Sequence, residues 1–484
     1  MSLSPENPGT AHTATPELNR RTVLKRASAL GLLAVPAVGL LQACATGGGS
    51  TPQDQSTGGA KSADNPLGVD PSAALEVVIF SGGYGDTYAT KYHVPLYEKA
   101  FPKAKVTESS TQDIQGTLQP RFTGGNPPDV VDNSGTKFMD FGALVGDDQL
   151  QDLTTLLDAP SVDDPNTKVR DTLVDGTVDV GTYNDKPYVL NYVFTVFGLW
   201  YNAKLFQSKG WTVPTTWADF TALMTKIKAA GITPYGYAGA NAAYYQYYAL
   251  LTSAAKIGGA DILKNIDNLE DGAWTNDAVK QAAAAWAEVG KTFSDKSYLG
   301  LIHTQVQLKQ DQDQLAVYPS GNWLENEMKD STPASFNYAV MPIPSVTTSD
   351  KLDVSSLMAV AGEGFIVAAK GKNPKGGMEY LRRMLSKEGA KDFTTATGSL
   401  TSVNHASDGM QLSPGLSSSS DALSKAKTAF YFRFDQWYKD LDTECRAATN
   451  ELFFQGGTAD HFCQRMQAKA DAIKKDSSIT KFKR

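Results

Sequence analysis

Tyr235, Tyr237, Tyr244, Tyr245, Tyr247 and Tyr248 crowd into 14 positions. Trp323 follows Gly321-Asn322 at the end of a β-rich run, and Trp437-Tyr438 lies beside Arg433 and Asp435. Flat rings next to Asn, Arg and carboxylates suit one chemistry well. A pyranose rests its C–H faces on aromatic rings while its hydroxyls bond to forked polar side chains. The same rings also suit a protein core, and residue types alone leave both readings open.

Catalytic and cofactor signatures are weaker. Gly83-Tyr84-Gly85-Asp86-Thr87-Tyr88 ends in Tyr where a dinucleotide fingerprint needs glycine. The chain has no G-x-x-x-x-G-K-[ST], no G-x-S-x-G and no H-E-x-x-H. Five scattered His and three Cys argue against a metal centre or a disulfide scaffold. The 52 Asp and Glu guarantee chance carboxylate pairs, so a glycosidase pair has no specific signal. The reading is a binder without catalytic residues, cofactor or metal. A secreted glycosidase is the alternative from another class. A surface adhesin is disfavoured, because the chain is not a set of repeated β modules.

Composition bounds the rest. The 484 residues are 41% apolar and 20% charged, enough for a large core. Net charge is −7, which disfavours gripping nucleic acid through a basic face.

Residues 1–43 read as an address. Arg20-Arg21-Thr22-Val23-Leu24-Lys25 resembles a twin-arginine signal, and Ala27 to Leu41 runs 15 residues without a charge. A membrane span needs about 20, so this is a signal h-region. Leu41-Gln42-Ala43-Cys44 is a lipobox, which predicts lipidation of Cys44 and removal of the residues before it. That removes four cations and two carboxylates, taking the charge from −7 to −9. Residues 44–71 are expected to be a flexible tether, Gly/Ser/Thr-rich from Ala45 to Ala63. The expected location is the outer face of the cell membrane, anchored and not spanning.

The elements that must position the aromatic residues alternate. Leu75 to Phe80 and Pro128 to Asp132 read as strands, Ile114 to Phe122 as a helix, and Pro95 should kink or break the segment before Phe101. Lys186 to Tyr201 is a long β-rich run. Thr216 with Asp219 caps a helix, Ala242 to Ile257 and Ala278 to Val289 are helical, and Leu315 to Tyr318 is a strand. The chain from Pro374 is mainly helical. Two such series predict two α/β lobes with ligand at strand carboxyl ends. Cys445 and Cys463 flank a Gly456-Gly457 turn between the last helices. In an oxidising compartment they are expected to pair, the alternative being two buried thiols.

The ordered motifs resemble a known family. Gly124 to Val131 (GGNPPDVV), Gly198 to Asn202 (GLWYN), Pro214 to Trp217, Ala316 to Trp323 (AVYPSGNW) and Gly364 to Pro374 look like family 1 extracellular solute-binding proteins of carbohydrate ABC importers. Phe80 to Asp86 (FSGGYGD), Thr117 to Gly125, Gly321 to Glu327 (GNWLENE) and Gly362 to Val367 are similar to N-acetylglucosamine/diacetylchitobiose-binding lipoproteins. The resemblance implies a two-lobed periplasmic-binding-protein-like α/β fold with a hinge and an interlobe ligand cleft. Lobe 1 would take 72–187 and 347–400, lobe 2 188–346 and 401–484. It implies a monomeric receptor that delivers an amino sugar or short chito-oligosaccharide to permease subunits; a different mono- or disaccharide is the runner-up. Carried over by position, the ligand residues would be Tyr84, Asp86, Asn133, Ser134, Tyr192, Thr195, Tyr244, Tyr245, Trp323, Glu325, Glu363 and Trp437. Thr195 stands in a strand where the family often has a carboxylate.

Overall fold

The structure, a computed structural model, describes residues 58–484. The signal segment, Cys44 and the tether as far as residue 57 lie outside the described residues. The chain is seated in the fold before residue 71, where the tether is expected to end. Leu67 and Val69 are buried in the core, and the Asn65 side chain brackets Val69 by bonding both its N–H and its carbonyl. The composition that favours a tether stops near Ala63, and two apolar side chains suffice to seat the chain beyond it.

One mixed sheet of nine strands organises the chain. β1 (Leu75–Phe80), β2 (Val106–Thr111) and β3 (Val130–Asp132) are parallel neighbours. A small hairpin comes next, β4 (Thr182–Tyr183) with β5 (Lys186–Pro187). β6 (Leu190–Asn202) is the long β-rich run, and β7 (Thr233–Tyr235) and β8 (Leu315–Gly321) lie parallel beyond it. β9 (Tyr338–Met341), β10 (Leu357–Val367) and β11 (Ala429–Phe430) complete the set. The order is β2-β1-β3-β10-β6-β8-β7, with β9 on β6 and β11 on β10. The first half of β6 pairs antiparallel with β10, and its second half with β8 and β9. β6 therefore crosses from one half of the sheet to the other.

Each half buries its own aromatic residues. Tyr88, Tyr97, Tyr192, Tyr380 and Phe393 pack beneath β1 and β10, under the helices Pro374–Met384 and Lys387–Thr397. Trp200, Tyr235, Trp286 and Phe453 pack under the helices Ala243–Gly258, Asp277–Phe293 and Lys439–Phe454. Fully burying such side chains contributes about 1.5–3 kcal/mol each before entropy is counted. Pro95 falls in the first turn of Val94–Ala100, where its missing N–H costs nothing, and the irregularity sits just ahead as a π-turn at Ala89–His93. Thr216 caps its helix as expected, accepting from the Asp219 N–H.

Cys445 and Cys463 are free, buried thiols, which corrects the expected disulfide. Their helices, Lys439–Phe454 and Ala459–Lys475, run antiparallel, tied by Arg465 to Glu444 and Glu451. The two sulfurs have different surroundings: Asp442, Thr449 and Arg446 for Cys445, Asp460 and Lys280 for Cys463. Burial pushes both thiols up, Cys463 to about 11, so neither supplies thiolate at neutral pH.

Candidate functional site

Where strands run out at the junction of the two halves, loops from both sides enclose a cleft with two connected chambers. The outer chamber measures about 660 Å³ and the inner about 170 Å³. Tyr84, Tyr244, Trp323 and Glu363 line both.

Tyr84 enters from the loop after β1, buried, with its hydroxyl unpartnered among the described residues. Asp86 does not reach the chambers. Gly85, at φ 64°, turns the loop between them, and Asp86 accepts from Ser110 Oγ at 2.6 Å instead. Asn133 and Ser134 follow β3 and line the inner chamber. The Asn133 side chain is spent on Met139, bonding its N–H and carbonyl. Ser134 donates to Asp132 and accepts from the Gly364 N–H.

β6 separates two expected residues by parity. Successive side chains point to opposite faces of a strand, so residues 192 and 195 cannot share one. Thr195 and Phe197 line the inner chamber. Tyr192 lies in the core of the first half, its hydroxyl donating to the Met384 carbonyl at 3.0 Å, and it is not a cleft residue.

Glu363 reaches the cleft through strain. It sits inside β10 at φ 54°, a left-handed conformation that costs of order 1–3 kcal/mol in a non-glycine residue. Behind it, Asp132 accepts from Tyr88 at 3.0 Å and Ser134 at 2.6 Å. Burial pushes the Glu363 carboxyl well above the usual range, and the charge of Asp132 raises it further. Of the two carboxyls, Glu363 therefore holds its proton the more tightly.

Trp323 stands between the chambers. Its Nε1–H donates to the Tyr245 hydroxyl at 3.1 Å, and its ring packs edge-on to Phe197 at 5.5 Å. The helix Leu324–Met328 comes directly after it. Residues two apart on a helix lie about 200° around the axis, so Glu325 and Glu327 face opposite ways. Glu325 points away and accepts from Ser413 Oγ and the Leu416 N–H, which removes it from the site. Glu327, to which the sequence motifs gave no role, lines the outer chamber, accepting from Gln307 at 2.7 Å. His303 lies 2.9 Å from Glu327 through Nε2 and 2.8 Å from Asn241 Nδ2 through Nδ1. Asn241 Oδ1 accepts the His303 backbone N–H, so the amide presents N–H to Nδ1, and Nε2–H donates to Glu327. That polar triad had no sequence signal beyond the second carboxylate of GNWLENE.

Trp437 is also outside the cleft. It is buried against Arg433, 4.4 Å from its ring centroid, and Phe482. Its neighbours Asp435 and Gln436 line the inner chamber with Arg446. Asp435 accepts from Tyr248 at 2.8 Å and is pushed up to about 7 by burial and by Asp442.

A bond spans the cleft: Asn326 Nδ2 donates to the Gly83 carbonyl at 2.6 Å. If it holds the cleft closed, Asn326→Ala should weaken ligand binding by about two- to tenfold, the worth of one neutral hydrogen bond. Titration alongside a melting curve checks this; unchanged affinity would make the bond incidental.

Known proteins share this fold. The family description "Bacterial extracellular solute-binding protein" matches residues 81–391. The chain is 36% identical over 478 residues to the diacetylchitobiose binding protein NgcE of Streptomyces coelicolor, covering 96% of this chain and 98% of that protein. It is 22% identical over 316 residues to the multiple sugar-binding protein of Streptococcus mutans, covering 63% and 70% of the two chains. Among solved structures, a protein from xylan utilization by the thermophilic bacterium Caldanaerobius polysaccharolyticus superposes with a TM-score of 0.69 at 18% identity, covering 82% of this chain and 99% of that one. A chitin oligosaccharide binding protein superposes with a TM-score of 0.66 at 19% identity, covering 83% and 99%. The match extends over both halves of the sheet, and the chain belongs to the bacterial extracellular solute-binding proteins.

Proposed function

We propose that this protein is a receptor for a short chito-oligosaccharide, diacetylchitobiose or N-acetylglucosamine, which it delivers to the permease of an ABC importer. The observation that carries the reading is the two-chamber cleft, aromatic on its dividing wall and ringed by hydrogen-bonding side chains such as Asn241, Glu327, Asp435 and Arg446. Rings beside forked polar groups suit a sugar. The relative at 36% identity bears diacetylchitobiose in its name. The two halves of the sheet act as lobes that close on the sugar, linked through β6 and β10.

Binding without hydrolysis is the expected mode. A glycosidase holds its two carboxyl groups at least about 5 Å apart so that the scissile bond fits between them. Asp132 lies close enough behind Glu363 for its charge to raise that carboxyl, which leaves no such gap between these two. Calorimetric titration with mono- and disaccharides tests the reading. Saturable binding of diacetylchitobiose, recovered intact after long incubation, is expected. Binding of a different sugar class, or steady product release, would overturn it.

The receptor is held at the outer face of the membrane by a lipid on Cys44. Cells fed a labelled fatty acid should label the protein, and Cys44→Ala should abolish the label. A Cys44→Ala chain that still labels would end the assignment.

A further inference from the structure

We infer that the inner chamber is an acetamido pocket, built to take the N-acetyl group of one sugar residue while the rings lie in the outer chamber. The inference rests on the proposed ligand class and assigns which part of the ligand goes where.

Size argues first. The inner chamber is about 170 Å³. A water occupies about 30 Å³, so there is room for about five. An acetamido group takes up only part of that space, whereas a pyranose with its hydroxyls would fill all of it. The outer chamber, at about 660 Å³, has space for rings.

Chemistry agrees with size. An acetamido group is neutral, with one strong acceptor, one donor and a methyl. Arg446 supplies the donor. Its Nε bonds Asp442 at 2.8 Å and its guanidinium lies 4.6 Å from the Tyr244 ring centroid. Its terminal N–H groups have no hydrogen-bond partner among the described residues, and Arg446 lines the chamber. They suit the amide carbonyl. Asp435 bonds Tyr248 through one oxygen and leaves the other for an amide N–H. Phe141 and Phe197 offer the wall for the methyl. Arg446 and the acidic groups already balance one another in charge, so a charged guest would be desolvated without compensation. Plain hexose presents a hydroxyl here, shorter than the acetamido group by its carbonyl and methyl, so it does not extend to the Arg446 donors and leaves the apolar wall uncovered. Sites built around a polar group reject analogues that lack it.

The test compares diacetylchitobiose with cellobiose, the β-linked disaccharide bearing hydroxyls in place of both acetamido groups. Two variants close the pocket differently. Arg446→Met removes the donor. Gly362→Val fills the space: a Cβ there meets only Thr195 Oγ1, at 3.9 Å. Wild type should prefer diacetylchitobiose at least tenfold. Each variant should lose at least tenfold in affinity for it and narrow the preference over cellobiose, Gly362→Val at a melting temperature close to wild type and Arg446→Met at a lower one, because Asp442 loses its ion pair. Should Arg446→Met fail to fold, Gly362→Val decides. A folded variant that binds diacetylchitobiose as wild type does, or that weakens both sugars equally, overturns the acetamido assignment and leaves the receptor standing. Wild type that binds no acetamido sugar overturns the receptor reading and the pocket with it.

Discussion

Trp323→Ala should weaken sugar binding by about 30- to 1,000-fold, the largest loss expected from any single change in the cleft. The ring lines both chambers, so a bound sugar meets it whichever way the ligand lies. Aromatic packing is worth about 0.5–1.5 kcal/mol beyond area burial. Lost apolar contact at about 25 cal/mol per Å² brings the total to roughly 2–4 kcal/mol, and 1.4 kcal/mol is tenfold. The rival account makes Trp323 a core ring, and part of it is visible: the indole bonds Tyr245 and touches Phe197. Truncating a core Trp costs about 3–5 kcal/mol of stability. Trp323 is half-buried, unlike Trp200, Trp274 and Trp286, so its stability loss should be smaller than that. Melting and titration on one variant separate the two accounts. A protein that melts far below wild type yet binds sugar normally while folded would end the platform assignment.

The elements legible in the sequence are those that local chemistry decides. β1, β3, β6 and β8 are β-branched or aromatic runs, and the capped helix at Thr216 has its own start signal. β10 is different. Its Gly362 and Gly364 make Leu357–Val367 look unlike a strand, yet it is the central strand that joins the halves. Gly364 is small because Phe141 packs against it: a Cβ there would lie 2.8 Å from the ring. That need is tertiary and leaves no local trace. The same limit governs the site. The motifs located the loops that converge, and Tyr84, Tyr244, Tyr245, Trp323 and Glu363 line the cleft. They did not resolve direction within a loop. Tyr192 fails by strand parity, Glu325 by helix phase, and Asp86 by the turn at Gly85. Trp437 points to the back while its predecessors Asp435 and Gln436 face the chamber. Arg446 and His303 come from elements with no sugar-binding signature at all.

Acid should unfold this protein partly through one histidine, with about 3 kcal/mol of stability lost between pH 6.5 and pH 4. His93 is buried under the loop that carries Tyr84, among Tyr88, Tyr192 and Phe393. Its Nε2–H donates to the Gly389 carbonyl at 3.1 Å, and Nδ1 has no partner among the described residues. Protonation would place a second N–H against an apolar wall with nothing to accept it, and burial holds the group down to about 4. The folded pKa is therefore below the unfolded value of about 6.5, and the unfolded chain binds the extra proton first. The contribution is intact above pH 6.5 and is lost as pH falls toward 4, at about 1.4 kcal/mol for each pH unit between the two values. Other groups pull both ways. Asp267 and Asp435, pushed up to about 6 and about 7, favour the folded state as pH drops. Glu76, held low by Arg121, does the reverse. A total slope is thus uninformative, and the comparison must be with His93→Gln, which keeps an N–H for Gly389 and does not titrate. Denaturant unfolding of both proteins across pH 4–6.5 gives the difference directly. The wild-type curve should fall away from the variant's as acid is added; curves that stay parallel would show that His93 carries no such load.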